Sequence, residues 1–316
     1  MKALVTSSFS LNGLAMLRDY LDVEIGGWCS GAAPLSKSAL LFKIPEIDIL
    51  ISEYEKVDRE IINAASRLKI IASPLKNPRA NIDIDYAKAK GIVCLCSLGS
   101  DTQAAAEMTL ALMLAAARRI KQSALFAASN PGYAGASDFE GSELMSKTLG
   151  LVGFGRTGQK VCAIAKAFGM NVMAYDPFVT RDRVTKAGAK LAGMPELFAA
   201  SDFISLHCGR TQQTEGFIGA PLLGRMKKSA WLINVSFPEV VDENELHEHL
   251  VNRRIAGAAL DGVTATAKGR AIAALDNALI TPGIARATSD ITDRNSEALS
   301  KGIIDYIEGR RPQCLL

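Results

Sequence analysis

Gly153-Phe154-Gly155-Arg156-Thr157-Gly158 sets three glycines in a G-x-G-x-x-G pattern, and Asp176 follows about 20 residues later. Glycines so spaced do three jobs. The first allows a tight turn, the second lets a pyrophosphate reach the backbone, and the third lets a helix pack on a strand. Amide groups at the helix start, including those of Arg156 and Thr157, then face the anion. A carboxylate at Asp176 accepts the ribose hydroxyls of NAD and repels the added phosphate of NADP, so NAD is the expected cofactor. Context supports the pattern, because the strand-like TLGLV precedes it and the helical GQKVCAIAKAF follows. A glycine-rich turn in some other doubly wound protein is the alternative.

A second stretch, LINVSFPEVVDENEL from Leu232 to Leu246, ends a buried strand and starts a helix, with Asp242 as cap and Glu245 in the first turn. The loop between them leaves the carboxyl end of a strand, where α/β proteins place their chemistry. It offers Phe237, which can neither donate a hydrogen bond nor exchange a proton. Glu53 ends the strand-like DILISE and Tyr54 follows it; a phenol near a lysine would serve as a proton donor if its pKa were lowered, and a packing role for Tyr54 is the alternative. His247 and His249, two apart on a helix, face different ways and make a poor metal pair. The six cysteines form no C-x-x-C pair and no zinc-type spacing, so no metal is expected.

The elements that position these residues are legible as alternation. KALVTS, DILISE, KIIAS and VCLCS read as strands separated by helical runs over the first hundred residues, which predicts a parallel sheet. Residues 102 to 129, rich in Ala, Leu and Met without Pro or Gly, read as one long helix. A loop-like connector at 130–143 leads into a second alternation that is long enough for a complete doubly wound domain. The tail from Asp290 is an amphipathic helix that must pack somewhere. A formal net charge of +3 is too small to imply nucleic acid or a membrane surface as partner. The start of the chain does not read as a signal peptide, and a cytoplasmic location is expected.

The chain resembles the D-isomer-specific 2-hydroxyacid dehydrogenase family. The residues that carry the resemblance run in the family's order over nearly the whole chain: Asn81-Ile82-Asp83, Ala106-Glu107, Lys147 to Gly155, Tyr175-Asp176-Pro177, Ser205-Leu206-His207-Cys208, Leu232-Ile233-Asn234, Val240-Val241-Asp242, Gly257 to Asp261 and Thr281-Pro282. The resemblance implies an α/β fold in which a Rossmann dinucleotide-binding domain, residues 99–289, is inserted in a smaller flavodoxin-like substrate domain, 1–98 plus 290–316. It implies a homodimer, a small-molecule substrate, and cofactor contacts from Gly153, Gly155, Arg156, Thr157, Gly158, Asp176, His207, Val235 and Asp261.

The same resemblance exposes three departures. The family's chemistry uses an arginine on the substrate carboxylate, a histidine that exchanges the hydroxyl proton, and a glutamate that keeps that histidine protonated. Their places fall on Phe237, Gly283 and Thr266. No base and no carboxylate-binding cation remain, so the standard oxidation is unavailable. The family's glycine-rich substrate turn is also replaced, by Ser73-Pro74-Leu75-Lys76-Asn77-Pro78-Arg79. Lys76 and Arg79, together with Ser236 and Phe237, become the candidate substrate contacts, and Lys76 and Tyr54 the candidate catalytic groups. Arg286 and Asp290, after the lost histidine, are further groups that could serve. The expected function is an NAD(H)-dependent oxidoreductase with a non-standard active site, acting on an anionic small molecule other than a simple 2-hydroxyacid. A catalytically silent NAD(H)-binding sensor or partner protein, and a non-redox enzyme with tightly held NAD, are the alternatives.

Overall fold

The computed structural model describes residues 1–75, 78–97, 101–132 and 135–316. Lys76 thus lies outside the described residues. The chain divides into two compact units, Met1–Ser100 with Thr288–Leu316, and Asp101–Ala287.

In the first unit, β1 (Lys2–Val5), β2 (Asp22–Ile25), β3 (Ile49–Ile51), β4 (Ile70–Ser73) and β5 (Val93–Cys96) form a parallel sheet in the order β2-β1-β3-β4-β5. Strands β3 and β4 are buried along their whole length, which is why they read as unbroken apolar runs. Helices α1 (Leu11–Arg18), α2 (Lys37–Lys43), α3 (Arg59–Ala64) and α4 (Ile84–Ala89) cover the sheet together with the terminal helix Ser289–Ile307, which packs on α1. Strand β2 escaped the sequence reading: DVEI is a short edge strand, nowhere fully buried, without a strong apolar pattern. It leads into a 3-10 turn, Gly27–Ser30, that carries Trp28. Connections leave β1 toward β2 on one side and reach β3 on the other, so the switch point of this sheet lies between the loops after β1 and β3.

The second unit opens with α5 (Thr102–Ala117) and α6 (Ile120–Ser129). One continuous helix was expected here, and the chain instead breaks at Arg119, which adopts a left-handed φ of 52°. The returning chain explains the break. Ser142 N donates to the carbonyl of Ala117 at 2.9 Å, and Gly141 fits so closely that a Cβ there would lie 2.4 Å from that oxygen. Strands β6 (Thr148–Val152), β7 (Asn171–Tyr175), β8 (Lys190–Leu191), β9 (Phe203–Leu206), β10 (Trp231–Asn234), β11 (Gly257–Asp261) and β12 (Ala278–Thr281) make a parallel sheet in the order β12-β11-β10-β9-β6-β7-β8. Around it lie α7 (Arg156–Ala167), α8 (Arg181–Lys186), α9 (Met194–Ala200), α10 (Ala220–Leu223), α11 (Glu243–Val251) and α12 (Ala267–Ala273), and the terminal helix is α13. This is the doubly wound Rossmann arrangement, with its switch point between β6 and β9. No helix among the described residues is long and apolar enough to cross a membrane.

Candidate functional site

The switch point of the second unit brings the glycine loop after β6 against the end of β9. His207 N donates to the carbonyl of Val152 at 2.8 Å, which holds the two strand ends together. Each glycine has its own reason. Gly153 has φ +99°, and a Cβ on it would lie 2.8 Å from the carbonyl of His207. A Cβ on Gly158 would lie 2.3 Å from the carbonyl oxygen of Gly153, so the third glycine lets α7 close on the loop. Gly155 differs from both: nothing lies within 4 Å of its Cβ position, and its backbone faces open space at the start of α7. That helix has no side-chain cap, which leaves first-turn amides around Arg156 and Thr157 for an external acceptor. Arg156 is exposed and Thr157 half-buried.

Asp176, just past β7, accepts from Phe154 N at 2.8 Å on one oxygen and from Phe178 N at 2.9 Å on the other. A carboxylate oxygen has two lone pairs, so each still has room for a hydroxyl donor. The uncapped helix start, the open face at Gly155 and the fixed carboxylate together fit an adenine dinucleotide: pyrophosphate on α7, ribose on Asp176. His207 is half-buried as a residue and pairs Nε2 with Ser205 Oγ at 2.9 Å. Burial of the ring pushes its pKa down to about 4, so the imidazole is neutral near pH 7.

The loop after β10 is folded by one buried side chain. Asn234 Oδ1 accepts from both the N–H and the hydroxyl of Ser236, at 2.9 and 2.7 Å, while its Nδ2 donates to the carbonyl of Phe237 at 3.0 Å. Val235 turns its side chain into the core, leaving only backbone for a ligand, and Phe237 keeps 37% of its surface exposed. Next along the chain, Glu239 accepts from Arg210 Nη1 at 2.7 Å. Its other oxygen is buried without a hydrogen bond. Arg210 sits in the loop after β9 and was missed in the sequence, where one loop arginine carries no local signal.

Asp261 is similarly committed. It accepts from Thr281 Oγ1 at 2.6 Å, Ile284 N at 2.8 Å and Ala285 N at 2.7 Å, and so folds the loop that contains Gly283. Gly283 has φ +77° and open space at its Cβ position. Thr266 caps α12, accepting from Gly269 N at 3.0 Å, and donates to Glu243 at 3.1 Å. Glu243 also accepts from Thr264 N at 2.8 Å. Arg286 is paired with Asp101 at 2.8 Å, and Asp290 is exposed on the first turn of α13 in the other unit.

In the first unit, Glu53 accepts from Ser8 N at 3.2 Å, and burial raises its pKa. Tyr54 corrects an expectation. Among the described residues its phenol meets Glu53, and burial first, then that carboxylate, raises the pKa, where a proton donor needs it lowered. Its ring packs on Trp28 with centroids 5.1 Å apart. Arg79 is exposed and paired with Asp85 at 2.6 Å. His249 is buried and bonds through Nδ1 to the carbonyl of Glu245 at 2.8 Å.

Residues 110–285 match the family model described as D-isomer specific 2-hydroxyacid dehydrogenase, NAD binding domain. A glyoxylate reductase from Thermococcus litoralis is 35% identical over 322 residues, covering 100% of this chain and 96% of that protein. A D-3-phosphoglycerate dehydrogenase from Archaeoglobus fulgidus is 35% identical over 313 residues, 98% of this chain but 58% of that protein. The chain thus spans a little over half the length of the phosphoglycerate dehydrogenases it matches. Among solved structures, an acyclic imino acid reductase, Bsp5, in complex with NADPH and D-Arg superposes with a TM-score of 0.82 at 28% identity, covering 100% of both chains. The motif order, the two parallel sheets and these matches lead to one conclusion: the chain belongs to the D-isomer-specific 2-hydroxyacid dehydrogenase family, and residues 110–285 are its NAD-binding domain.

Proposed function

We propose that this protein is an NAD(H)-dependent oxidoreductase with a non-standard active site, acting on an anionic small molecule that is not a simple 2-hydroxyacid. One observation carries the reading. The unit that holds an open, uncapped nucleotide cradle at Gly155 also holds, after the neighbouring strands β10, β11 and β12, three positions, Phe237, Thr266 and Gly283, whose side chains neither titrate near neutral pH nor carry charge. When bound, NADH supplies a hydride. The chain's own part is to hold the cofactor through the α7 amides and Asp176, and to shield the reacting carbon from water with the ring of Phe237.

The substrate class follows from what is missing. Reduction of a ketone needs an acid for the new alkoxide, and that pair of groups is lost. A protonated imine brings its own proton and its own positive charge, so hydride addition requires neither a general acid nor an oxyanion hole. An imine or an activated carbonyl on an anionic molecule is therefore the proposed electrophile. The full-length likeness to an acyclic imino acid reductase supports this choice. The test is NADH consumption with an imino acid generated in solution from a 2-oxoacid and an amine. Consumption that requires the amine is expected. Equal consumption with the 2-oxoacid alone would overturn the substrate class, and none with any carbonyl or imine would favour a silent NAD(H)-binding protein.

A further inference from the structure

The first unit holds a built surface that the redox reading does not use. Glu55, 2% exposed, ties together the loops that leave β1, β2 and β3: it accepts from Thr6 Oγ1 at 2.7 Å, Ser52 Oγ at 2.8 Å and Leu35 N at 3.2 Å. Gly27, with φ +53°, is pressed so close that a Cβ on it would lie 2.9 Å from Glu55 Oε1. This anchoring fixes the next residue, Trp28, against Tyr54, and both rings remain about half exposed, 47% and 49%. Glu53 completes the group. Its backbone carbonyl is held by Asn81 Nδ2 at 2.5 Å, its carboxylate accepts from Ser8 N at 3.2 Å, and it lies near enough to the Tyr54 phenol to help raise that group's pKa. Neighbouring Ser7 has a buried hydroxyl without a hydrogen bond, at the same switch point between β1 and β3.

We infer that Trp28, Tyr54 and Glu53 form a subsite for the amine or guanidinium group of a ligand, with the rings supplying cation–π contact and the carboxylate a charge-assisted hydrogen bond. A half-exposed aromatic pair attracts a cation through the negative faces of its rings, and among the described residues no Lys or Arg pairs with Glu53. Glu53 is itself partly buried, which raises its pKa and favours a cationic or donor partner at the carboxyl. A planar guanidinium fits both demands, since it stacks on a ring and donates in a fork. The inference rests on the first unit alone and stands whether or not the proposed reduction is correct.

The test titrates the full chain with butylguanidinium and with its neutral isostere butylurea, following tryptophan emission, with NADH binding measured in parallel as an independent readout. Saturable quenching by butylguanidinium is expected, at least tenfold tighter than any response to butylurea. Glu53→Gln should weaken the guanidinium at least tenfold, Trp28→Leu should abolish the quenching, and both variants should bind NADH as the parent does. Equal responses to the two probes, no saturable response, or an unchanged affinity in Glu53→Gln would overturn the subsite. Loss of NADH binding in the parent protein would count against the proposed function and not against the subsite.

Discussion

Phe237 stands in a loop whose backbone Asn234 holds in order, so under the proposed function this position changes the chemistry without dismantling the loop. Restoring the cation alone should not restore the family's reaction. Phe237→Arg is expected to leave oxidation of D-glycerate by NAD at background, because a general base, worth about 10²–10⁴-fold, is still missing at Gly283. NADH formation checks this, and turnover in the single variant at ordinary dehydrogenase rates would contradict it. His207 gives a pH prediction of definite sign. Its folded pKa of about 4 lies below the unfolded value near 6.5, so the unfolded chain takes up the proton first. Stability from this residue is full above about pH 6.5 and is lost as pH falls toward 4. The stability of the parent relative to His207→Gln should fall as pH drops across that window; a difference in denaturation midpoints that does not change with pH would contradict the assignment. The residue types at the three positions where the resemblance expects catalytic groups, Phe237, Thr266 and Gly283, were legible at this scale, because residue types are read directly. The pairing of Arg210 with Glu239 and of Thr266 with Glu243 was not, since each joins residues from different loops or elements.

At the scale of elements, the β6–loop–α7 unit makes a prediction that separates fold from binding. Gly158→Ala puts a Cβ 2.3 Å from a backbone carbonyl that cannot swing away, so it should destabilise the protein by about 1–3 kcal/mol and disturb the cofactor site with it. Gly155→Ala places its methyl in open space with φ −68°, so the unfolding midpoint should barely move. NADH affinity should nevertheless fall at least tenfold, because the methyl occupies the approach to the helix start. Thermal melts beside NADH titrations of the two variants check both halves. A Gly155→Ala protein that binds NADH normally would remove the cradle from the account. The glycine unit was readable because its logic is local: turn, close approach and helix start lie within a few residues. Elsewhere tertiary context prevailed. The break at Arg119 depends on the returning segment at Gly141, and β2 gains its place from pairing with β1 along a sheet edge.

Across the whole molecule, strand and helix alternation made two parallel sheets legible, because buried parallel strands read as apolar runs whatever their chemistry. What the sequence withheld was the use to which positions are put. Thr266 stands where the resemblance expects a catalytic glutamate, and it caps α12; Tyr54, for which both a proton donor and a packing residue were open, packs on Trp28. The central claim is that the cofactor site is kept while the family's hydroxyacid chemistry is gone. One sample tests both halves: calorimetric titration with NADH, followed by addition of NAD with D-glycerate or D-lactate to the same protein while NADH formation is recorded. Saturable NADH binding with no NADH formation is the predicted result. Failure to bind NADH, or turnover of either hydroxyacid in the ordinary enzymatic range of about 1–10³ s⁻¹, would contradict it.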